Sequence, residues 1–197
     1  MAKTILFDIG GVLVHLDWEK VCGPLSELSD LSPGAVDAEV KNGPIVEESM
    51  LGHLTPDEFH LQICAKLNVD IPFDRFIELW NSILRPDESI LPLVQQLGDG
   101  HRLAVASNTD AIHFAHTKDD FGILESFQEF FLSCEMGLLK PDPAFFQRIL
   151  GGLGAPPEEC VFIDDRPENV ESARTLGIDA LHFQSLEKLE TDLKTVL

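Results

Sequence analysis

Basic residues are scarce. Lys and Arg number 14 against 34 Asp and Glu, for a net charge of −20. A chain this acidic has little with which to neutralise a nucleic-acid backbone, so nucleic acid is not an expected partner. Cysteine is also thin. Cys22, Cys64, Cys134 and Cys160 lie far apart with no C-x-x-C pair, which argues against a metal cluster or a redox motif. Reduced thiols in a cytoplasmic protein are the expectation. No apolar run approaches the length that crosses a membrane, and because folding information begins by Lys3 no leader is expected. Internal repeats and low-complexity tracts are absent as well.

What remains is ordinary globular material: 197 residues, 44% hydrophobic and 24% charged. The run Lys3-Thr4-Ile5-Leu6-Phe7-Asp8-Ile9-Gly10-Gly11-Val12 reads as a buried parallel strand ending in a carboxylate, with two glycines to turn the backbone. From His15 to about Arg85 the texture becomes helical. Thr55-Pro56-Asp57-Glu58 is a helix start, followed by Phe59, Ile63 and Leu67 at four-residue spacing. Phe73, Phe76, Ile77 and Trp80 form a second stripe, and Gly-Pro pairs punctuate the block. The pattern predicts four or five short helices and no sheet.

From Pro86 strands and helices alternate. Strands are predicted at 102–106, 130–132, 161–163 and 180–183, with helices near 90–97, 144–150 and 168–176 and at the C-terminus. The expected fold class is α/β: a Rossmann-like, mostly parallel sheet with helices on both faces, plus a small all-helical cap inserted after the first strand. The core comprises residues 1–14 and 86–197, and the cap 15–85.

In a parallel sheet the C-terminal strand ends share one edge. Asp8, Ser107 and the Asp164-Asp165 pair therefore arrive at one crevice, with Lys140 in a loop close by. These groups suit phosphoryl transfer: a carboxylate to attack phosphorus, carboxylates for a divalent metal, and a hydroxyl, backbone N–H groups and a lysine for the phosphate oxygens.

Four segments, Phe7-Asp8-Ile9-Gly10-Gly11-Val12, Ser107-Asn108-Thr109, Lys140-Pro141 and Phe162-Ile163-Asp164-Asp165, resemble in order the motifs of the haloacid dehalogenase-like (HAD) hydrolases. The helical insertion is similar to the type-1 cap of that superfamily. Ser133 to Pro141 and Asp164 to Asn169 resemble the branch containing α-D-glucose-1-phosphate phosphatase, with the phosphatase domain of epoxide hydrolase more distant. The resemblance implies a Mg²⁺-dependent phosphatase acting on a small phosphorylated metabolite, most plausibly a sugar phosphate. It implies Asp8 as nucleophile and metal ligand, the Gly10 carbonyl and Asp165 as further ligands, and Asp164 and Asn169 behind them. Ser107, Asn108 and Lys140 would bind phosphate, with Lys140 also pairing with Asp8.

One departure stands out. The usual D-x-D pattern has a second aspartate as general acid and base, and here that position is Gly10. Substrates with a good leaving group, a substitute such as His15, Asp17 or His53, or binding without turnover would each accommodate the loss. A 2-haloacid dehalogenase is the alternative enzyme, disfavoured by the Asp164-Asp165 pair because that chemistry needs no metal. Glu47, Glu48 and His53 are the expected cap contacts to sugar hydroxyls, and Arg85 the expected hinge residue. The oligomeric state, monomer or homodimer, is open.

Overall fold

The protein is described from a computed structural model covering residues 2–197. Strands β1 (Thr4–Phe7) and β2 (Val14–Leu16) precede the helices α1 (Glu19–Leu28), α2 (Pro33–Asn42), α3 (Pro44–Met50), α4 (Pro56–Leu67) and α5 (Phe73–Asn81). Next come β3 (Leu84–Pro86), α6 (Leu91–Gly98), β4 (Arg102–Ser107), α7 (Ala111–Asp120), β5 (Glu129–Leu132) and α8 (Ser133–Met136). The chain closes with α9 (Pro143–Leu153), β6 (Cys160–Asp164), α10 (Pro167–Thr175), β7 (Asp179–His182) and α11 (Leu186–Val196).

Five strands pair in parallel in the order β5-β4-β1-β6-β7. Helices cover both faces, so successive strand residues are apolar in both directions. Ile5, Phe7, Val105 and Ile163 pack with Val94, Leu97, Leu189 and Leu193 on one side. Leu6, Ala104, Ala106 and Phe162 pack with Phe145, Phe146, Ile149 and Val170 on the other. From the central β1 the chain builds outward through β4 and β5, then returns to build β6 and β7 on the opposite side. The strand order thus reverses at β1, and the crevice of a doubly wound sheet opens there. Asp8 is the first residue beyond β1, and its N–H donates to the Ile163 carbonyl at 2.9 Å.

Helices α1–α5 surround their own apolar cluster, which includes Val21, Leu25, Phe59, Ile63, Phe76 and Trp80. The Phe59 ring meets the Trp80 indole edge-on at 4.9 Å, a favoured aromatic geometry. Thr55 and Glu58 form the full capping box that starts α4. Ile112 of α7 belongs to this same cluster, so the inserted helices and the sheet domain share buried surface.

Two expectations need correction. The inserted block is not free of strand: β2 and β3 pair antiparallel, with His15 opposite Arg85 and Leu16 opposite Leu84. Three-residue strands with one buried position between them carry no alternation to read, and their partners lie some seventy residues apart in sequence. Arg85 lies in this ladder, where the chain passes between the two parts. The Gly23-Pro24 pair does not interrupt α1, which runs through it. Helix α7 has no counterpart in the sequence pattern because only Ile112 and Thr117 are buried along it. Among the described residues, no helix is long and apolar enough to cross a membrane.

Candidate active site

The C-terminal edge of the sheet and the inserted helices enclose a cavity of about 590 Å³. Asp8, Gly10, Ser107, Asn108, Lys140, Asp165 and Asn169 all line it. Parallel register explains the convergence: β1, β4 and β6 end level with one another, Phe7 pairing with both Val105 and Ile163.

Asp8 is oriented through one oxygen. Its Oδ1 accepts the Ile9 N–H at 2.8 Å and lies 3.0 Å from the Lys140 ammonium. Burial pushes its carboxyl up to about 7, and the neighbouring Asp164 adds to this, while Lys140 and the Ser107 hydroxyl pull the other way.

Lys140 is 3% exposed and has no idle hydrogen. Its Nζ donates to Asp164 Oδ2 at 2.6 Å and to the Ala106 carbonyl at 2.9 Å besides facing Asp8. One ammonium thus holds two carboxylates in place. The loop that carries it is tied down by Asn108, whose Nδ2 donates to the Lys140 carbonyl and whose Oδ1 accepts the Lys140 N–H.

Asp164 and Asp165 are adjacent in sequence yet play opposite parts. Asp164 is fully buried, and both its oxygens are engaged by Lys140, the Arg166 N–H and Asn169 Nδ2. Asp165 stands in the cavity, and burial followed by Asp164 raises its pKa. Gly11, at φ 76°, makes room for it: a β-carbon there would overlap Asp165 Oδ2. Carboxylate oxygens of Asp8, Asp164 and Asp165 lie within 4.8 Å of one another. The Oδ1 of Asn169 is a buried acceptor with no donor.

That donor set fits a divalent cation. Three carboxylates cluster where one ammonium pairs with two of them, the ligating atoms are hard oxygens, and an orphaned acceptor lines the same cavity.

Several anticipated residues lie elsewhere. Glu47 lines the cavity, but Glu48 and His53 do not; they pair with each other at 2.9 Å on the surface. His15 pairs with Asp87 at 3.3 Å, and neither it nor Asp17 reaches the cavity. Leu16 lies there instead, with Trp18, Lys41, Asn42 and Arg166. Trp80, Asp110 and His113 form part of the wall too; the sequence pattern marks Trp80 only as part of an apolar stripe and gives Asp110 and His113 no role. Asp110 beginning a helix with His113 three residues on was the available signal.

The chain matches the family model for haloacid dehalogenase-like hydrolases over residues 2–177. It is 27% identical to a sesquiterpene phosphatase of Aspergillus oryzae, over 92% of this chain and 89% of that protein. A D-ribitol-5-phosphate phosphatase of Bacteroides thetaiotaomicron is 22% identical over 100% of this chain and 99% of its own. The structure of a HAD family enzyme from the same bacterium, complexed with magnesium and inorganic phosphate, superposes with a TM-score of 0.85. That likeness covers 96% of this chain and 99% of the other at 27% identity. Sequence, fold and the ordered arrival of four motifs at one crevice agree: the protein is an enzyme belonging to the haloacid dehalogenase-like hydrolases.

Proposed function

We propose that this enzyme is a Mg²⁺-dependent phosphatase that hydrolyses a small phosphorylated metabolite, with a sugar phosphate as first choice, through an aspartyl-phosphate on Asp8. The observation that carries the reading is the clamped Asp8 carboxylate at the point of strand reversal, beside Ser107 and Asp165 in one cavity. The phosphatase relatives and the magnesium and phosphate in the Bacteroides structure support it.

Asp8 attacks phosphorus through Oδ2, the oxygen that neither the Ile9 N–H nor Lys140 holds. The new Oδ2–phosphorus bond forms as the bond to the leaving oxygen breaks, and that oxygen takes its proton from solvent. Water then attacks phosphorus, the Asp8 carboxylate is regenerated, and inorganic phosphate departs. Ser107 donates its hydroxyl to a phosphate oxygen. The side-chain amide of Asn108 is committed to the Lys140 backbone, so residue 108 serves phosphate by holding that loop and by its own N–H. Lys140 opposes the protonation that burial favours at Asp8 and keeps the carboxylate aimed.

Asp8, the Gly10 carbonyl and Asp165 would hold the cation, with Asp164 and Asn169 behind them; bound there, it offsets the charge on the phosphate oxygens. Trp18, just before α1, with Asn42 and Glu47 of the inserted helices, supplies an aromatic face and polar groups of the kind a sugar ring uses.

Acid quench during turnover, followed by peptide mass mapping, tests the reading. Phosphate on the peptide containing Asp8 is expected. Turnover with no covalent phosphoenzyme at any quench time contradicts it.

A further inference from the structure

We propose that Asp110 and His113 are positioning residues that pin the inserted helices to the sheet domain through Trp80, so that this wall of the cavity stays docked while ligands come and go. The proposal takes the cavity to be the phosphatase site argued above.

The geometry is closed on every side. Asp110 caps α7 with Oδ1, which accepts the N–H groups of Ile112 and His113 at 2.9 Å each. Its Oδ2 accepts the Trp80 indole N–H at 3.0 Å and faces His113 Nδ1 at 3.2 Å. The other ring nitrogen, Nε2, lies 2.9 Å from the Trp80 backbone carbonyl. A carbonyl can only accept, so Nε2 carries a hydrogen; with a second hydrogen on Nδ1, toward Asp110, the ring is a cation whose charge Asp110 balances. The ring also lies flat on the indole, with centroids 5.1 Å apart and planes 7° apart. Asp110 and Trp80 are both almost wholly buried.

What faces His113 leaves that charge to Asp110. Its own helix contributes Asp110, while His116 pairs with Asp120. From α5 come only the Trp80 indole and carbonyl. Cys134 of α8, with the surface Glu135 next to it, lies on the Asp110 side; burial first, then Asp110 and Glu135, push its thiol up to about 11, so it is neutral. Across the cavity stand Lys41 and Glu47. Burial alone would lower the His113 pKa, and the Asp110 charge outweighs it and raises it.

The contact reaches the reaction site through the chain. Trp80 lies in the last turn of α5, Ile83 and Leu84 follow it into the cavity wall, and Leu84 pairs with Leu16 beside Gly10. A second anchor lies in the turn after α3, where Gly52 sits so close to the Cys134 carbonyl that a β-carbon would overlap it. Swinging the inserted helices away on the β2–β3 ladder would break both anchors and leave a buried charge unpaired. Ligands therefore pass through the rim formed by the exposed Asn42, Glu47 and Arg166.

The test replaces Trp18 with Phe, leaving Trp80 as the only indole, and follows its emission with pH. A stacked imidazolium quenches indole emission, so emission is expected to rise in one step above the ordinary imidazole pKa of about 6.5. With His113→Gln added, the step is expected to vanish and emission to stay high throughout. In the otherwise native enzyme, His113→Gln is expected to raise KM for p-nitrophenyl phosphate about fivefold or more while kcat holds, the scale of an ordinary coupling between sites. An emission without a step, a step that survives His113→Gln, or a kcat loss with KM unchanged overturns the proposal. Should His113→Gln unfold, the titration of Trp18→Phe alone decides. A native enzyme that releases no phosphate from any ester defeats the phosphatase reading, and the emission titration still decides the pin.

Discussion

The Cδ1 of Leu16 stands 3.0 Å from the point where a β-carbon on Gly10 would lie. An apolar side chain thus occupies the space beside the position from which a carboxylic acid would protonate the leaving group. On the proposed mechanism, the enzyme is expected to favour leaving groups that depart without help. Along a series of phenyl phosphates of rising phenol pKa, kcat/KM is expected to fall steeply. Gly10→Asp combined with Leu16→Ala, which clears the space, is expected to flatten the slope. Equal slopes in the two enzymes would show that no acid is missing.

Lys140 balances two carboxylates in a dry setting, so its loss is felt in stability as well as rate. Lys140→Met is expected to destabilise the fold by about 3–5 kcal/mol in urea titrations, the usual cost of orphaning a buried charge. Adding Asp164→Asn is expected to recover part of that, because the two residues form one network. Strict additivity would contradict the arrangement.

Metal binding should be visible without catalysis. Asp8 is raised to about 7 by burial and by Asp164, and a cation binds the ionised carboxylate in competition with protons. Mg²⁺ is expected to raise the melting temperature, more at pH 8 than at pH 6, with a gain of about 2.7 kcal/mol at a hundredfold excess over Kd. Chelation should reverse the gain, and Asp165→Asn should largely remove it. An equal gain at both pH values would count against Asp8 as a ligand.

The Asp110–His113 pair predicts a stability window. Burial would raise Asp110, but the His113 charge and the hydrogen bonds from His113 and Trp80 hold it at about 2, below its ordinary 3.8. Its contribution, on the order of 2 kcal/mol, is present above the unfolded value and lost as pH falls toward the folded one. His113 is raised, so its contribution is full below about 6.5 and lost as pH rises through the folded value. Asp8, also raised, costs stability as pH rises from its ordinary 3.8 to about 7, which shifts the peak toward acid pH. Melting temperature is expected to peak between these limits, and Asp110→Asn to weaken the decline at both ends. An unchanged profile in that variant would refute the pair.

The strand-end residues were legible because two signals coincide there. Ile5-Leu6-Phe7, Leu103 to Ala106 and Val161 to Ile163 are apolar on both faces, and each run ends abruptly in Asp8, Ser107 or Asp164. Local pattern could order the two carboxylates of Asp164-Asp165 only through family resemblance, since the saturation of one by Lys140 and Asn169 is a tertiary fact. The β2–β3 ladder joins segments far apart in sequence, and α7 lacks an apolar stripe, so neither leaves a periodic trace. Glu48 and His53 satisfy each other on the surface, a pairing that composition cannot separate from a substrate contact. Trp80 reads as one more apolar residue in a helical stripe, and its indole N–H reveals a second role only when Asp110 is placed beside it.

The most direct test is phosphate release from a panel of small phosphomonoesters with Mg²⁺, native enzyme against Asp8→Asn. The account predicts turnover of at least one ester that chelation suppresses and that Asp8→Asn lowers by a factor on the order of 10³ or more, as loss of a nucleophile does. Native rates retained by Asp8→Asn, or folded, Mg²⁺-loaded native enzyme that releases no phosphate from any ester, would contradict it.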